Sequence, residues 1–117
     1  MIDQKIKQIA TKTRDEFEAW KIDEIRLKKL YQNYNYIKDI NPFIKHSKKI
    51  FPHLNCGLTS VYLKSLFSGS KIINGKYKNH NHTFLLLNKS IIIDITSDQY
   101  EGPKIYVGPL KSPWSLV

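Results

Sequence analysis

The segment "HTFLLLNKSIIIDITSDQY", residues 82 to 100, carries the pattern that decides the fold. Two apolar runs, "HTFLLL" and "SIIIDI", flank a short polar segment around Asn88 and Lys89. This pattern predicts two antiparallel strands joined by a tight turn. Asp94 is unusual in this setting, because a carboxylate among isoleucines is costly to bury unless a partner stabilises its charge.

His82 is the partner that the pattern offers to Asp94. Side chains alternate between the two faces of a strand, and a turn centred on Asn88 or Lys89 places residue 94 or residue 96 opposite His82. His82 and Asp94 therefore share a face in either case, directly or diagonally across the hairpin. Directly opposed residues have Cβ atoms about 4.5–5.5 Å apart, which suits a hydrogen bond between imidazole and carboxylate. His80 has the same parity but lies nearer the open end of the strand, so we favour His82.

The remaining elements follow from the change in periodicity along the chain. We predict a further strand over "KIYVG", residues 104 to 108, whereas the segments before Gly75 have helical spacing. One short helix is predicted between Pro42 and Pro52. The two longer apolar stripes are Ile2, Ile6, Ile9, Thr13, Phe17 and Trp20, then Ile22, Ile25, Leu30, Tyr34 and Ile37. Helices followed by an antiparallel sheet predict an α+β fold, in one domain spanning 1–117 with a helical part at 1–50.

The helix predicted over "NCGLTSVYLKSLFSGS" contains the single cysteine of the chain. Asn55 is a preferred N-cap residue and Gly69 a preferred C-cap residue, which places Cys56 in the first turn. The N-terminal end of a helix lowers the pKa of a thiol. The expected buried face comprises Leu58, Tyr62, Leu63, Leu66 and Phe67. A nucleophilic thiol needs a base and an orienting group, and the hairpin supplies both, so Cys56, His82 and Asp94 form a candidate triad.

Composition narrows the class of protein. One cysteine excludes an internal disulfide and a four-cysteine zinc site. No apolar run approaches the ~20 residues that span a bilayer, and the start lacks a signal-peptide core, so we expect a soluble, cytoplasmic protein. The net charge is +9, and no acidic residue occurs from Ile40 to Ile93, a segment with eight lysines. That charge favours acidic partners, but 17 of the 19 basic residues are lysine, which argues against nucleic-acid readout.

Three stretches together resemble a known group of enzymes: "NCGLTSVYL", "HTFLLLNKSIIIDITSDQY" and "IYVG". They are similar to small bacterial members of the papain-like and transglutaminase-like superfamily of cysteine peptidases, amidases and deamidases, over about residues 55–108. The resemblance implies a papain-like α+β fold and a thiol hydrolase or acyltransferase without cofactor or metal. It implies Cys56 as nucleophile, His82 as general base and acid, Asp94 as orienting carboxylate, and Gln99 as a supporting polar residue.

The chain departs from that superfamily at several positions. Phe84 stands where Trp is usual, an apolar run replaces a frequent acid, and no glutamine precedes Cys56 in the manner of papain. The oxyanion hole is therefore unassigned. The Asn55 side-chain amide and the Cys56 backbone N–H are candidates, although Asn55 cannot easily serve as N-cap acceptor and oxyanion donor at once.

Two other functions remain open at this point. The first is a non-catalytic module whose basic face binds an acidic protein or nucleic acid, with Cys56 inert. The second is a zinc site formed by Cys56, His80, His82 and Asp94. If the protein is an enzyme, we expect its substrate to be a protein or a peptide-like amide. The lysines favour an acidic substrate, and we expect no membrane partner. The sequence leaves open whether the protein is delivered as an effector or toxin.

Overall fold

Three helices make up the first part of the chain. The computed structural model describes residues 2–117, and its first helices are α1 (Ile2–Glu18), α2 (Glu24–Tyr34) and α3 (Asn41–Ile50). Of the stripe predicted there, α1 buries Ile6, Thr13 and Phe17, with Phe17 1% exposed. Ile9 is half-buried, Trp20 lies beyond the end of the helix, and the Ile2 side chain is outside the described part of the chain. α3 begins with a proline in its first turn, as expected between two prolines.

The stripe predicted for α2 is confirmed only in part, because Ile22, Leu30 and Ile37 pack on the core but Ile25 and Tyr34 are exposed. Leu27 and Tyr31 are its buried residues, whereas Ile25 is 82% exposed. The physical reason is the helix start: the Asp23 side chain accepts a hydrogen bond from the Arg26 backbone N–H and caps the helix. The apolar residue at position 22 therefore precedes the helix, and a stripe counted from it has the wrong phase.

The fourth helix, α4 (Cys56–Lys64), is shorter than the predicted segment. Its C-cap is Ser65, whose hydroxyl donates to the carbonyl of Tyr62. Gly69 is not the C-cap, and its φ of 80° belongs to the turn that leads into the sheet. The buried face is also wider than predicted, because every residue from Leu58 to Leu63 is buried, while Leu66 is 38% exposed.

A five-stranded antiparallel sheet completes the fold. Its strands are β1 (Ser70–Tyr77), β2 (His80–Leu87), β3 (Ile91–Asp94), β4 (Tyr106–Pro109) and β5 (Trp114–Ser115), in the spatial order β4-β3-β2-β1-β5. The predicted turn between β2 and β3 is confirmed, with left-handed φ values of 52° at Asn88 and 66° at Lys89. β1 was not predicted, because "SKIINGKY" lacks alternation.

Apolar clusters cover both faces of the sheet. On one face, Leu85 and Ile93 pack with Leu63 of α4. On the other, Phe84 and Ile92 pack with Trp114 and the C-terminal segment. Burial on both faces explains why β3 reads as continuous isoleucine rather than as alternation.

The helices and the sheet confirm the predicted α+β class, with four helices packed on a curled antiparallel sheet. None of the described helices has the length and apolar character that crossing a membrane requires.

Candidate active site

Asn55 fixes the backbone immediately before the thiol. Its side-chain Nδ2 donates to the carbonyl of Ser47 at 2.9 Å and to the carbonyl of His53 at 2.8 Å. Asn55 occupies the N-cap position of α4, as predicted, but its side chain makes no capping hydrogen bond to the helix. Because both N–H groups of the amide are occupied, this side chain is not available as an oxyanion donor either. Asn55 supports the site by holding the α3–α4 loop.

Cys56 is the first residue of α4 and is partly exposed. Burial raises the pKa of its thiol, but the neighbouring imidazole of His82 and the polar groups of Thr83 outweigh burial and lower the pKa. Thr83 is next to His82 on β2, so a single strand supplies both groups that stabilise the thiolate.

His82 and Asp94 form a hydrogen-bonded pair across the β2–β3 hairpin. His82 Nε2 lies 2.7 Å from Asp94 Oδ2, and each residue is 2% exposed. Leu85 pairs with Ile93, and this register places Asp94 diagonally across from His82, one of the two arrangements that the alternation allowed.

Three donors satisfy the buried carboxylate of Asp94. Oδ2 accepts from His82 and also from Trp114 Nε1 at 2.8 Å, while Oδ1 accepts from the Thr96 backbone N–H at 3.0 Å. These bonds explain how a carboxylate is tolerated among isoleucines. No local pattern indicates Trp114 as a partner of Asp94, because its contact depends on the pairing of β5 with β1.

The second ring nitrogen of His82 is available to the thiol. Nδ1 is buried and makes no well-formed hydrogen bond with any described residue, and Cys56 is close enough to perturb the ring. Burial alone would lower the pKa of His82, but the hydrogen bond to Asp94 and the neighbouring Asp94 and Cys56 outweigh burial and raise the pKa to about 9. Both shifts favour an imidazolium–thiolate pair.

Aromatic rings pack around His82. Tyr100 lies perpendicular to the His82 ring at 5.4 Å between centroids and stacks on His80 at 4.4 Å. Tyr77 approaches His82 edge-on at 6.3 Å. His80 is exposed and contacts Tyr100, so His82 is the histidine that the structure brings to Asp94.

Tyr100 lies on a 3₁₀ turn, Ser97–Tyr100, that is held from the other end of the chain. Arg14 of α1 is 4% exposed; it donates to the carbonyl of Ile95 at 2.6 Å and makes a bidentate pair with Asp98, with both N···O distances at 2.8 Å. The only hint of this role in the sequence is the residue type. Arg14 is one of two arginines in a chain whose other basic residues are lysines, and arginine favours bidentate binding of a carboxylate. Arg14 fixes the segment that follows Asp94.

Gln99 lies on the same 3₁₀ turn. Its Nε2 is buried and has no hydrogen-bond partner among residues 2–117, so no bond links it to Cys56, His82 or Asp94. The supporting role predicted for Gln99 therefore has no hydrogen bond to the candidate triad behind it.

The residues of the hypothetical zinc site are not arranged as metal ligands. Within the described part of the chain, no three side chains of His, Cys, Asp and Glu are arranged to hold a metal ion. His80 stacks on Tyr100, and the oxygens of Asp94 accept bonds from protein donors.

A cleft of about 310 Å³ lies beside His82. Its other lining residues are Asn74, Gly75, Asn81 and Thr83, so its wall is formed by the β1–β2 hairpin.

The chain was compared with models of protein families, with curated proteins and with solved structures, and no match was found in any of the three.

Proposed function

We propose that this protein is a thiol-dependent acyl-transfer enzyme that acts on an amide through Cys56, His82 and Asp94. The single observation that carries the proposal is the buried His82–Asp94 hydrogen bond of 2.7 Å, with the opposite ring nitrogen left for the thiol. A nucleophile, a base and an orienting group in this order are the components of cysteine acyl transfer.

Each group has a defined task in the reaction. The Cys56 thiolate attacks the carbonyl carbon, and the imidazolium of His82 gives its proton to the leaving amine. Water or a second amine then attacks the thioester, and His82 takes the proton of that nucleophile as the thiolate leaves. Asp94 orients the ring throughout and stabilises its charged form.

The order of these groups along the chain supports a relationship to the papain-like and transglutaminase-like superfamily. The thiol begins a helix, the histidine lies near the start of a strand, and the aspartate ends the next strand. The proposal therefore covers peptidase, amidase and glutamine deamidase chemistry. The small cleft beside His82 favours a side-chain amide or a short exposed segment over a long peptide.

The lysines favour an acidic substrate. All eight lysines between residues 40 and 93 are exposed, and none forms an ion pair with another described residue. The same observation supports the second candidate function, a non-catalytic module that binds an acidic protein or nucleic acid. In that case binding would weaken steeply with salt while Cys56 stayed unreactive.

The test is the rate of Cys56 alkylation by iodoacetamide as a function of pH. An ordinary thiol titrates near ~8.5. We expect the wild-type thiol to react well below that pH and His82→Ala to lose this reactivity. His80→Ala is the matched control, because His80 lies on the same strand, two residues away, and makes no hydrogen bond to Asp94 among the described residues. A sluggish thiol that is indifferent to His82→Ala would contradict the proposed function and leave the basic face as the subject to pursue.

A further inference from the structure

Attack of a thiolate on an amide moves an electron pair onto the carbonyl oxygen, and that oxygen needs hydrogen-bond donors. Cys56 is the first residue of α4, so its backbone N–H has no partner within the helix and can be one donor. Asn55 cannot be the second, because its Nδ2 already donates to two backbone carbonyls at 2.9 and 2.8 Å. A second donor has to come from another element.

Asn74 of β1 has the required chemistry and lies in the cleft beside His82. Its side-chain oxygen accepts from the Tyr34 hydroxyl at 3.1 Å and from Thr83 Oγ1 at 2.9 Å. An amide oxygen has two lone pairs, so these bonds occupy both and fix the orientation of the amide. Within residues 2–117, no protein group accepts a hydrogen bond from its Nδ2. Asn74 is exposed to the cleft, so two oriented N–H groups remain for a ligand.

Thr83 connects Asn74 to the nucleophile. Asn74 pairs with Thr83 across the hairpin, and the adjacent pair is Gly75 with His82. The backbone N–H and the side chain of Thr83 both lower the pKa of Cys56, which places them against the thiol. Asn74 therefore lies one hydrogen bond beyond a residue that contacts the sulfur. A reacting oxygen needs to be about 3 Å from both nucleophile and donor, so an oxyanion donor has to lie close to the sulfur without occupying it.

We propose that Asn74 Nδ2 donates a hydrogen bond to the substrate carbonyl oxygen and, with the Cys56 backbone N–H, forms the oxyanion hole; this rests on the proposed function. As the C–S bond forms, the C=O π pair moves to the oxygen, which the two donors stabilise. When the pair returns, the C=O bond reforms and the C–N bond breaks, and the amine leaves with the proton from His82.

The test compares two reactions of the same thiol. p-Nitrophenyl acetate acylates Cys56 through a tetrahedral oxyanion and releases p-nitrophenolate. Iodoacetamide alkylates Cys56 by displacing iodide from a saturated carbon, and no oxyanion forms. We expect Asn74→Ala to lower the acylation rate by about 10²-fold, the lower end of the effect of removing one oxyanion donor, and to leave the alkylation rate unchanged.

Two further variants strengthen the comparison. Asn74→Asp keeps acceptors for Tyr34 and Thr83 but has no N–H group, so the ratio of acylation to alkylation should fall as it does in Asn74→Ala. Asn79→Ala is the matched control, because Asn79 is an exposed asparagine between β1 and β2 that does not line the cleft, and both rates should be unaffected.

The two proposals fail in different ways. A parallel fall of the acylation and alkylation rates in Asn74→Ala would show that Asn74 acts on the thiolate, and it would overturn the oxyanion role. Unchanged rates of both reactions would overturn the oxyanion role as well. Both results leave the wild-type alkylation profile intact. A wild-type thiol with the ordinary pH profile would instead remove the proposed function and the oxyanion hole together.

Discussion

Replacement of Asp94 by asparagine tests whether the buried carboxylate sets the charge state of the site. The substitution keeps the size of the side chain and removes its charge, next to a histidine that lies 2.7 Å away. Burial lowers the pKa of His82, and Asp94 and Cys56 raise it to about 9. Because burial persists in the variant, we expect Asp94→Asn to lower the pKa of His82 and with it the fraction of thiolate at neutral pH.

The magnitude follows from linkage between protonation and stability. A histidine whose pKa rises from 6.5 to about 9 on folding contributes stability that is fully present below pH 6.5 and is lost as the pH rises through about 9. One pKa unit corresponds to about 1.4 kcal/mol, so this contribution is about 3 kcal/mol. Cys56 supplies part of it, and in a Cys56→Ser background about 3 kcal/mol is therefore an upper limit.

The assay is urea unfolding of Cys56→Ser with and without Asp94→Asn, at pH 6 and at pH 9.5. We expect the variant that retains Asp94 to lose more of its free energy of unfolding on going to pH 9.5. Lysines that titrate in this range are common to both proteins, so their effects cancel in the difference. Burial and the charge of Asp94 raise the pKa of Tyr77 and Tyr100, so both proteins also carry Tyr77→Phe and Tyr100→Phe. An identical pH dependence of the two proteins would refute the assignment of the His82 charge to Asp94.

Three other substitutions test contacts that hold the site. Trp114→Phe keeps an aromatic ring at this position but removes the indole N–H that donates to Asp94. It should lower the free energy of unfolding by about 1.5–3 kcal/mol, the range for a hydrogen bond to a charged group. Arg14→Met should lower it by about 3 kcal/mol, the low end for breaking a buried ion pair, because the Asp98 side chain is 27% exposed. Gly75→Ala should lower it by about 1–3 kcal/mol, because its Cβ would come within 2.2 Å of a backbone oxygen of β5. All three are measured by urea unfolding at pH 7.

Surface contacts of the same kind provide the controls. Trp20→Phe removes an indole bond to Glu24, whose side chain is 42% exposed, and Arg26→Met removes an exposed arginine. We expect less than about 1 kcal/mol from each. Losses equal to those of Trp114→Phe and Arg14→Met would show that burial does not distinguish these contacts.

Local periodicity was sufficient to predict the hairpin and its pair of polar residues. The even parity of His82 and Asp94 depends only on alternation and on the position of the turn, and both are local properties. The thiol at a helix start was predictable for the same reason, although Asn55 was assigned the wrong bonds. Its amide reaches back to the α3–α4 loop, and sequence preference for N-cap residues does not report such a competing contact.

Contacts between distant parts of the chain were not predictable. Trp114 meets Asp94 only because β5 pairs with β1, and Arg14 meets Asp98 across 84 positions. The position of Asn74 in the sheet was not predictable, because the lysines, asparagine and glycine of β1 do not form a strand pattern. In each case tertiary packing, rather than local propensity, decides where the residue lies.

The bonds of Arg14 have a consequence for the modularity of the chain. All the residues of the candidate triad lie after position 50, so the second half alone would carry the side chains of the proposed site. However, a fragment without α1 would leave the carbonyl of Ile95 and the carboxylate of Asp98 without their guanidinium. The turn that carries Tyr100 would then lose its anchor next to His82. The helical half is thus an inseparable part of the scaffold, and recombination between related chains would have to exchange Arg14 and Asp98 together.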